Sequence, residues 1–378
     1  MRAIFVTILC RLLAAFVRAE DERIWFDATL NSHPAHLIFD TGAPACYTLF
    51  RNAADRLGIE VTNLNDPEDT NKGYTGYTPE CSLEINGETT KVWFWVLDLP
   101  SPLTNNFSAD GLIGWPSVTN YVIKIDAKAR MMLPFWHVPH DTSGWLKLPL
   151  QTGAPNFRLV IPKSNGRESV LVIDTGASEG IALRPDLWHE WKSSHTNQPT
   201  TLRADYMFGS GLTVHEEGWA KEIAFGSLTL TNIPITEATS DDIAAGGEGY
   251  EATLGLTALK RLDLMVDGRH GMAYVRPKNE KPAPYKHNRL AVSFLPPDFK
   301  SIKCIAHVLQ NGPGYAAGIR DGDILIKVDG REIADWGDAT SISEKMEAMR
   351  SGTKVTLTLK RGTEVFETTV VLNDILKP

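Results

Sequence analysis

Short apolar runs separated by turn residues make up most of the first 276 residues of the chain. Such runs precede both Asp40 and Asp174, and turn dipeptides such as Asn86-Gly87 separate the later runs. Apolar runs of this length, bounded by Gly and Asn, predict β-strands rather than helices. Short helices fit only around residues 115–121 and 257–262. The pattern therefore predicts a mainly β fold.

The β-rich part of the chain contains an internal repeat. Three landmarks occur twice and in the same order, at residues 36–43 and 170–177, 111–114 and 252–255, and 123–126 and 264–267. Gly114 and Asp126 are 12 residues apart, and so are Gly255 and Asp267. A repeat of this kind indicates two copies of one structural unit. We therefore predict a first lobe over residues 20–144 and a second lobe over residues 145–276.

Three segments lie outside the two lobes. Residues 1–19 combine Arg2, an apolar run and a small-residue end at Ala19, which is typical of a signal peptide. An uncleaved N-terminal membrane anchor is the alternative. Residues 277–288 are rich in Pro and Lys and predict a semi-rigid linker. Residues 289–378 form a third domain, and the whole protein is expected to be exported, either periplasmic or secreted.

The bulk composition narrows the expected partners. The 378 residues are 43% hydrophobic and 22% charged, which fits a globular protein of two or three domains. A formal net charge of −8 disfavours nucleic acid and anionic membranes as partners, because like charges repel. The sequence contains neither a metal-binding motif nor a phosphate-cradling glycine loop, so we expect no metal and no cofactor.

The cysteines leave two alternatives. Beyond residue 19 the chain contains Cys46, Cys81 and Cys304. An odd number does not predict a disulfide framework. A Cys46–Cys81 disulfide and free, buried thiols both remain open.

The two Asp-Thr-Gly-Ala segments are the candidate site. A carboxylate at the end of an apolar strand is partly desolvated, and a single copy would be interpreted as a turn cap. Two copies in matched repeats predict that Asp40 and Asp174 meet and share one proton, because adjacent carboxylates cannot both ionise. One carboxylate then acts as general base toward a water, and the other as general acid toward a substrate carbonyl. Gly42 and Gly176 permit a close backbone approach at the turn.

At these residues each repeat resembles a retropepsin-type aspartic protease unit. The resemblance covers residues 24–276 and rests on Asp-Thr-Gly-Ala followed by an apolar-apolar-Gly segment, from which Thr253 departs in the second copy. It implies two β lobes that form one pepsin/retropepsin-type unit about a pseudo-twofold axis, with Asp40 and Asp174 catalytic. It also implies hydrogen bonds between Thr41 and Thr175 across that axis. The active-site loops would then be supported by Thr41, Gly42, Ala43, Thr175, Gly176 and Ala177.

The same family closes glycine-rich hairpins over its substrate. The residues at the matching places are Gly73, Tyr74, Gly76, Tyr77, Gly209 and Gly211. Ordinary surface hairpins are the alternative for each copy.

The third domain resembles the PDZ domains of bacterial proteases, through residues 314–319 and 321–325. Such domains are small β-barrels with helices that add a peptide strand to a sheet edge. They capture the C-terminal carboxylate of that peptide in a backbone nest. By position, Leu290, Ala291 and Val292 form the carboxylate loop, and Ala291 stands where the family prefers glycine.

Taken together, these patterns predict an exported, monomeric aspartic-type endopeptidase whose PDZ domain binds a substrate or partner peptide. One alternative is a catalytically inactive peptide-binding adaptor on a protease fold. Another is a dimer in which like repeats pair between chains. Residues 176–180 also match the Gly-x-Ser-x-Gly string of serine hydrolases. That string overlaps the repeat, and nothing else in the sequence supports a doubly wound hydrolase.

Overall fold

The computed structural model describes residues 22–64, 73–98, 108–207, 211–278, 281, 284–297, 301, 303–336 and 339–377. Within them the chain is mainly β, so the predicted fold class is confirmed at that level. The predicted signal peptide, residues 1–19, lies outside the described residues. No helix among those described is long and apolar enough to cross a membrane.

The strands are numbered in chain order. The first twelve are β1 Trp25–Leu30, β2 His33–Asp40, β3 Tyr47–Phe50, β4 Thr62–Asn63, β5 Tyr74–Tyr77, β6 Cys81–Ile85, β7 Glu88–Val92, β8 Trp95–Leu97, β9 Gly111–Gly114, β10 Val122–Asp126, β11 Met131–Phe135 and β12 Leu146–Pro149. The next nine are β13 Arg158–Pro162, β14 Glu168–Ile173, β15 Ile181–Leu183, β16 Thr201–Met207, β17 Gly211–Phe225, β18 Leu228–Glu237, β19 Tyr250–Leu254, β20 Leu262–Asp267 and β21 Met272–Pro277. The C-terminal strands are β22 Val292–Leu295, β23 Cys304–Val308, β24 Ile324–Val328, β25 Arg331–Glu332, β26 Lys354–Arg361 and β27 Glu364–Val371.

The helices of the described residues are short. The α-helices are α1 Arg51–Arg56, α2 Pro185–Ser194, α3 Ser240–Gly246, α4 Leu256–Leu259, α5 Pro313–Ala316 and α6 Ala339–Ala348. The 3-10 helices are Trp115–Ser117, Gly268–His270 and Ile333–Trp336.

The sequence repeat reappears in the sheet topology. The first lobe forms one sheet in the order β4-β5-β8-β3-β9-β2-β1-β6-β7, and the second forms another in the order β13-β14-β19-β15-β18-β17-β16. The run β5-β8-β3-β9-β2 of the first sheet corresponds to β17-β18-β15-β19-β14 of the second. In both runs the strand that leads to the Asp-Thr-Gly-Ala loop pairs in parallel with the strand of the second landmark, β2 with β9 and β14 with β19.

The third landmark of each repeat joins the two lobes. Strand β10 pairs with β20 in antiparallel register, with Ile123 opposite Val266. They are two of the three inner strands of a shared sheet ordered β11-β10-β20-β21-β12. One apolar core runs through both lobes, and within it Trp115 stacks on Phe157 at a ring distance of 4.4 Å. The lobes are therefore packed as one body, while their predicted bounds stay a prediction.

The prediction that short helices fit only around 115–121 and 257–262 is wrong, because α1, α2 and α3 lie elsewhere. Helix α2 has Pro185 in its first turn together with Asp186, and it buries Trp188 and Trp191. Proline at the first helical position and an acidic residue beside it favour a helix start. Helix α3 begins with a capping box formed by Thr239 and Asp242. A capping box is a local signal for a helix start, and these residues can be read from the sequence.

The C-terminal region has a core of its own. Its sheet has the order β22-β23-β24-β26-β27, with β25 paired to β24. Strand β22 lies at one end of this order. It lies beside α6 and also beside β16 of the second lobe.

The predicted linker, residues 277–288, contacts both the second lobe and the C-terminal region in its described part. Tyr285 packs against Trp219 of β17 at a ring distance of 5.6 Å. His287 is buried and accepts hydrogen bonds from the backbone N–H groups of Ile375 and Leu376 at 3.1 and 3.3 Å. The Pro- and Lys-rich composition predicts a spacer. It does not reveal that Tyr285 packs against the second lobe or that His287 hydrogen-bonds the C-terminal region.

Candidate active site

The structure brings the two aspartates of the repeated motif together. Asp40 is the last residue of β2, opposite Gly114 of β9. Asp174 follows β14, and its backbone N–H donates to the carbonyl of Leu254 in β19 at 3.0 Å. Each aspartate therefore lies at the end of a buried pair of parallel strands, and this pair fixes the start of the loop that follows.

The threonines of the two loops hydrogen-bond crosswise. Thr41 N donates to Thr175 Oγ1 and Thr175 N donates to Thr41 Oγ1, both at 3.0 Å. The Thr41 hydroxyl donates to the carbonyl of Ile173 at 2.6 Å, and the Thr175 hydroxyl donates to the carbonyl of Phe39 at 2.7 Å. Both threonines are fully buried. These bonds tie the two loops to each other.

The glycines of the motif let each aspartate pack against the opposite loop. A Cβ atom on Gly42 would lie 2.4 Å from Oδ2 of Asp174, and one on Gly176 would lie 2.6 Å from Oδ2 of Asp40. Real Cβ atoms do not approach other atoms so closely. A side chain at either position would therefore displace the carboxyl group of the opposite loop.

Each aspartate also accepts two backbone hydrogen bonds from its own loop. Asp40 Oδ1 accepts from the N–H groups of Gly42 and Ala43, both at 2.9 Å. Asp174 Oδ1 accepts from the corresponding groups of its loop at 2.8 and 3.2 Å. Hydrogen bonds to the ionised form favour that form, so these contacts partly offset the cost of burial.

The electrostatic surroundings of the two carboxyl groups differ. Burial, then the negative charge of Asp40, then that of Glu179 hold the pKa of Asp174 well above its usual range. Burial also raises the pKa of Asp40, but the loop N–H groups, the hydrogen bond from Asp174 and the positive charge of Arg23 act in the opposite direction. These surroundings favour protonation of Asp174 over that of Asp40.

The predicted hairpin residues fall partly within the described chain. Gly73 has a positive φ of 82° and precedes β5, which contains Tyr74, Gly76 and Tyr77. The Asp40 charge contributes to a raised pKa of Tyr74, after burial as the main cause, so this tyrosine lies within electrostatic reach of the aspartate pair. Gly76 packs on β4, because a Cβ there would lie 2.6 Å from the carbonyl oxygen of Thr62.

In the second lobe the corresponding hairpin is formed by β16 and β17. Gly211 begins β17 and pairs with Met207, whereas Gly209 lies outside the described residues.

The predicted carboxylate loop of the C-terminal domain is buried, and two of its N–H groups are hydrogen-bonded within the chain. Leu290, Ala291 and Val292 are all buried. Oδ1 of Asn288 accepts hydrogen bonds from the N–H groups of Leu290 and Ala291 at 2.9 and 3.1 Å. Ala291 has a φ of +54°, a conformation that favours glycine, which accounts for the family preference at this position. The carbonyl of Asn288 in turn accepts a hydrogen bond from the hydroxyl of Thr201 in β16.

Cys46, Cys81 and Cys304 are free thiols in the structure, so the disulfide alternative is not realised. In the part of the chain that the structure describes, no group of three or more His, Cys, Asp or Glu side chains is arranged to hold a metal ion.

The sequence did not single out three residues that affect the Asp174 loop or are linked to it by hydrogen bonds. Glu179 affects the pKa of Asp174, Arg203 hydrogen-bonds Ser178 at 3.1 Å, and Tyr285 hydrogen-bonds Glu217 at 2.5 Å. Glu179 lies only five positions after Asp174 and could have been found from the sequence. Arg203 and Tyr285 are distant along the chain and have no local signal.

Comparison with known proteins identifies the C-terminal domain. Residues 278–372 match the PDZ domain family, which confirms the predicted PDZ domain and extends it over part of the docked segment. The chain is also similar to Serine protease HTRA3 of Mus musculus, with 35% identity over 71 residues, which are 18% of this chain and 14% of that relative. The chain thus covers about a seventh of the length of that relative.

The same comparison corrects the predicted enzyme class. The sequence predicts an aspartic-type endopeptidase, whereas the relative is named a serine protease, which is a different catalytic type. By this comparison the predicted class is wrong. Neither the family match nor the relative supports the retropepsin-like assignment of residues 24–276. The coarser finding is a PDZ domain shared with a protease.

Proposed function

We propose that the chain is a protease that hydrolyses peptide bonds, with the Asp40–Asp174 carboxyl pair as its reacting site. The observation that carries this proposal is the crossed set of hydrogen bonds between Thr41 and Thr175. These bonds bring one aspartate from each repeat into a half-buried pair, and burial raises the pKa of both carboxyl groups. Two carboxyl groups in different protonation states can act as base and acid in the same step.

The proposed reaction uses Asp40 as base and Asp174 as acid. The Asp40 carboxylate removes a proton from a water, whose oxygen attacks the carbonyl carbon of the scissile peptide. The Asp174 carboxyl gives its proton to the carbonyl oxygen, which yields a neutral tetrahedral intermediate. Collapse of that intermediate breaks the C–N bond as the proton on Asp40 passes to the leaving nitrogen and Asp174 recovers its own proton.

We extend the proposal to the architecture around the pair. The two lobes are then retropepsin-like units about a pseudo-twofold axis, supported by the matched strand orders of the two sheets. The PDZ domain binds a substrate or partner peptide, and the segment 1–19 directs export.

A serine nucleophile, as in the relative, is the competing site. Ser178 stands in the Gly-x-Ser-x-Gly string, and its Oγ accepts a hydrogen bond from Arg203. A guanidinium group stays charged and cannot accept a proton, so this contact does not activate the hydroxyl. The catalytic type of the relative remains a property of that protein, of which this chain covers 14%.

A peptide-library cleavage assay on the full chain tests the proposal. Asp40→Asn and Asp174→Asn should each abolish hydrolysis while thermal unfolding still shows a folded protein. Asp126→Asn is the matched control, because Asp126 lies in the shared sheet and hydrogen-bonds Ala129. Treatment with phenylmethylsulfonyl fluoride, which acylates reactive serines, should leave the activity unchanged. Activity that survives both Asp→Asn variants and is lost with this reagent would refute the carboxyl pair as the reacting site.

A further inference from the structure

Arg203 connects the Asp174 loop with the segment that carries the PDZ domain. It lies on β16, and its Nη2 donates to Oγ of Ser178 at 3.1 Å. Its Nη1 donates to the hydroxyl of Tyr285 at 3.2 Å and lies 3.8 Å from Oε1 of Glu217. One guanidinium group therefore contacts the catalytic loop on one side and the docked segment on the other.

Tyr285 and Glu217 hold Arg203 in this position. The Tyr285 hydroxyl donates to Glu217 Oε1 at 2.5 Å, and Glu217 is only 2% exposed. Burial, followed by the Glu217 charge, keeps the pKa of Tyr285 well above its usual range. The hydroxyl therefore stays protonated and can donate. A buried carboxylate requires nearby donors and positive charge, which Tyr285 and Arg203 supply here.

Ser178 is fixed from two sides. Helix α4 contacts its segment through Leu256, whose N–H donates to the carbonyl of Ala177, and through the Thr257 hydroxyl, which donates to the carbonyl of Ser178, both at 2.8 Å. Arg203 then fixes the Ser178 side chain. Ser178 is four residues after Asp174, so its position and that of the proton-holding carboxyl belong to one short loop.

The two repeats differ at this point. The position that corresponds to Ser178 in the first repeat is Pro44, whose side chain has no hydrogen-bonding atom. The side-chain tie at this position is therefore specific to the half of the site that holds the proton and lies beside the PDZ-bearing segment.

We propose that Arg203 is a positioning residue for this site: held by Tyr285 and Glu217, it orients the Asp174 loop through Ser178. The segment that bears the PDZ domain thereby influences the geometry of the acid of the pair. This inference rests on the proposed function for its kinetic consequence, but its structural part is independent of it.

The test compares Arg203→Ala, Arg203→Lys and Tyr285→Phe in the full chain. Arg203→Ala should lower kcat by about 10- to 100-fold with a smaller change in KM, because a displaced catalytic group slows the chemical step more than binding. Guanidinium ion, added below the concentration that unfolds the chain, should restore part of kcat. Arg203→Lys should fall between Arg203→Ala and the natural protein, because an ammonium group cannot hold both partners in a planar fork. Tyr285→Phe should show a smaller loss of kcat in the same direction.

The matched control is Arg276→Ala. Arg276 also pairs with a carboxylate, Asp263, but in the shared sheet, so its removal should leave kcat and KM unchanged. A loss of kcat in Arg203→Ala that guanidinium does not restore, with a thermal midpoint lowered well below that of the control, would indicate a purely structural role and overturn the proposal.

Amide hydrogen exchange provides a readout that does not depend on activity. In Arg203→Ala, exchange should accelerate in residues 174–183 and stay unchanged in residues 40–46 of the first repeat. Unchanged exchange in 174–183 would refute the positioning role. If the natural protein hydrolyses no peptide but the exchange difference is present, the proposed function fails and the positioning role stands.

Discussion

Replacing Thr41 by valine tests whether the crossed hydrogen bonds hold the two loops together. The substitution keeps the branched shape of the side chain and removes only the hydroxyl function. The hydroxyl donates to the carbonyl of Ile173 at 2.6 Å and accepts from the N–H of Thr175 at 3.0 Å. The Thr41→Val variant would therefore leave one buried acceptor and one buried donor in the opposite loop without these partners.

The expected cost is set by those two groups. Leaving a buried hydrogen-bonding group unsatisfied costs about 1–3 kcal/mol, so the two groups together predict a loss of about 2–6 kcal/mol in the free energy of unfolding. The free energy of unfolding of a typical protein is about 5–15 kcal/mol, so the expected loss is a large fraction of the total stability. Hydrolysis should fall as well, because the loop that carries Asp174 loses part of its support.

Thr41→Ser is the matched control. It keeps the hydroxyl and removes one buried methyl group, which costs about 0.8 kcal/mol before any cavity effect. Urea unfolding of both variants gives the two free energies, and peptide hydrolysis gives kcat. Free energies of unfolding within about 0.5 kcal/mol of each other would refute the role of the hydroxyl, because that difference is smaller than the net worth of a typical hydrogen bond.

Two further predictions concern the acid of the pair. Glu179→Gln removes a negative charge that raises the pKa of Asp174, so that pKa should fall. Because the proposed reaction requires protonated Asp174, the alkaline limb of the pH–rate profile should move to lower pH, and an unmoved or upward-shifted limb would contradict the assignment of the proton. Gly42→Ala would place a Cβ atom 2.4 Å from Oδ2 of Asp174, so hydrolysis should be lost in a protein that still folds, and full activity in a folded variant would show that the loops can separate without consequence.

The pairing of the aspartates could be predicted from the sequence because the repeat is itself the evidence. Two copies of Asp-Thr-Gly-Ala in the same order with the later landmarks indicate two equivalent loops, and equivalent loops meet when their units pack about an axis. The two copies of the third landmark also meet, because β10 and β20 pair directly with each other.

The protonation state of the pair could not be predicted from the motif. The two loops have the same four residues, so the motif makes Asp40 and Asp174 equivalent. Burial and the mutual interaction of the two carboxyl groups are the larger causes, and Glu179 near Asp174 and Arg23 near Asp40 add to the difference. The effect of a charge on a carboxyl group depends on distances that only the folded chain sets.

The docking of Tyr285 and His287 could not be predicted for a related reason. Pro and Lys composition describes how a segment behaves alone, and it favours an extended spacer. Tyr285 and His287 are held instead by residues that lie tens of positions away, Glu217 for the tyrosine and the backbone of Ile375 for the histidine. Sequence patterns that act over a few residues carry no information on such partners.

The loop that the sequence predicts for carboxylate binding contains an internal acceptor for its own N–H groups. The amide oxygen of Asn288 is covalently tethered two and three residues from the N–H groups that it engages, so its effective concentration at that place is high. A terminal carboxylate that used the same N–H groups would have to displace this oxygen, and a charged acceptor forms the stronger hydrogen bond. The backbone carbonyl of Asn288 accepts a hydrogen bond from Thr201 of the second lobe, so a displacement that moved Asn288 would also disturb this contact between the domains. Coupling between two sites is reciprocal. If a bound peptide weakened the contact between Asn288 and Thr201, a weakened contact would in turn strengthen binding of the peptide.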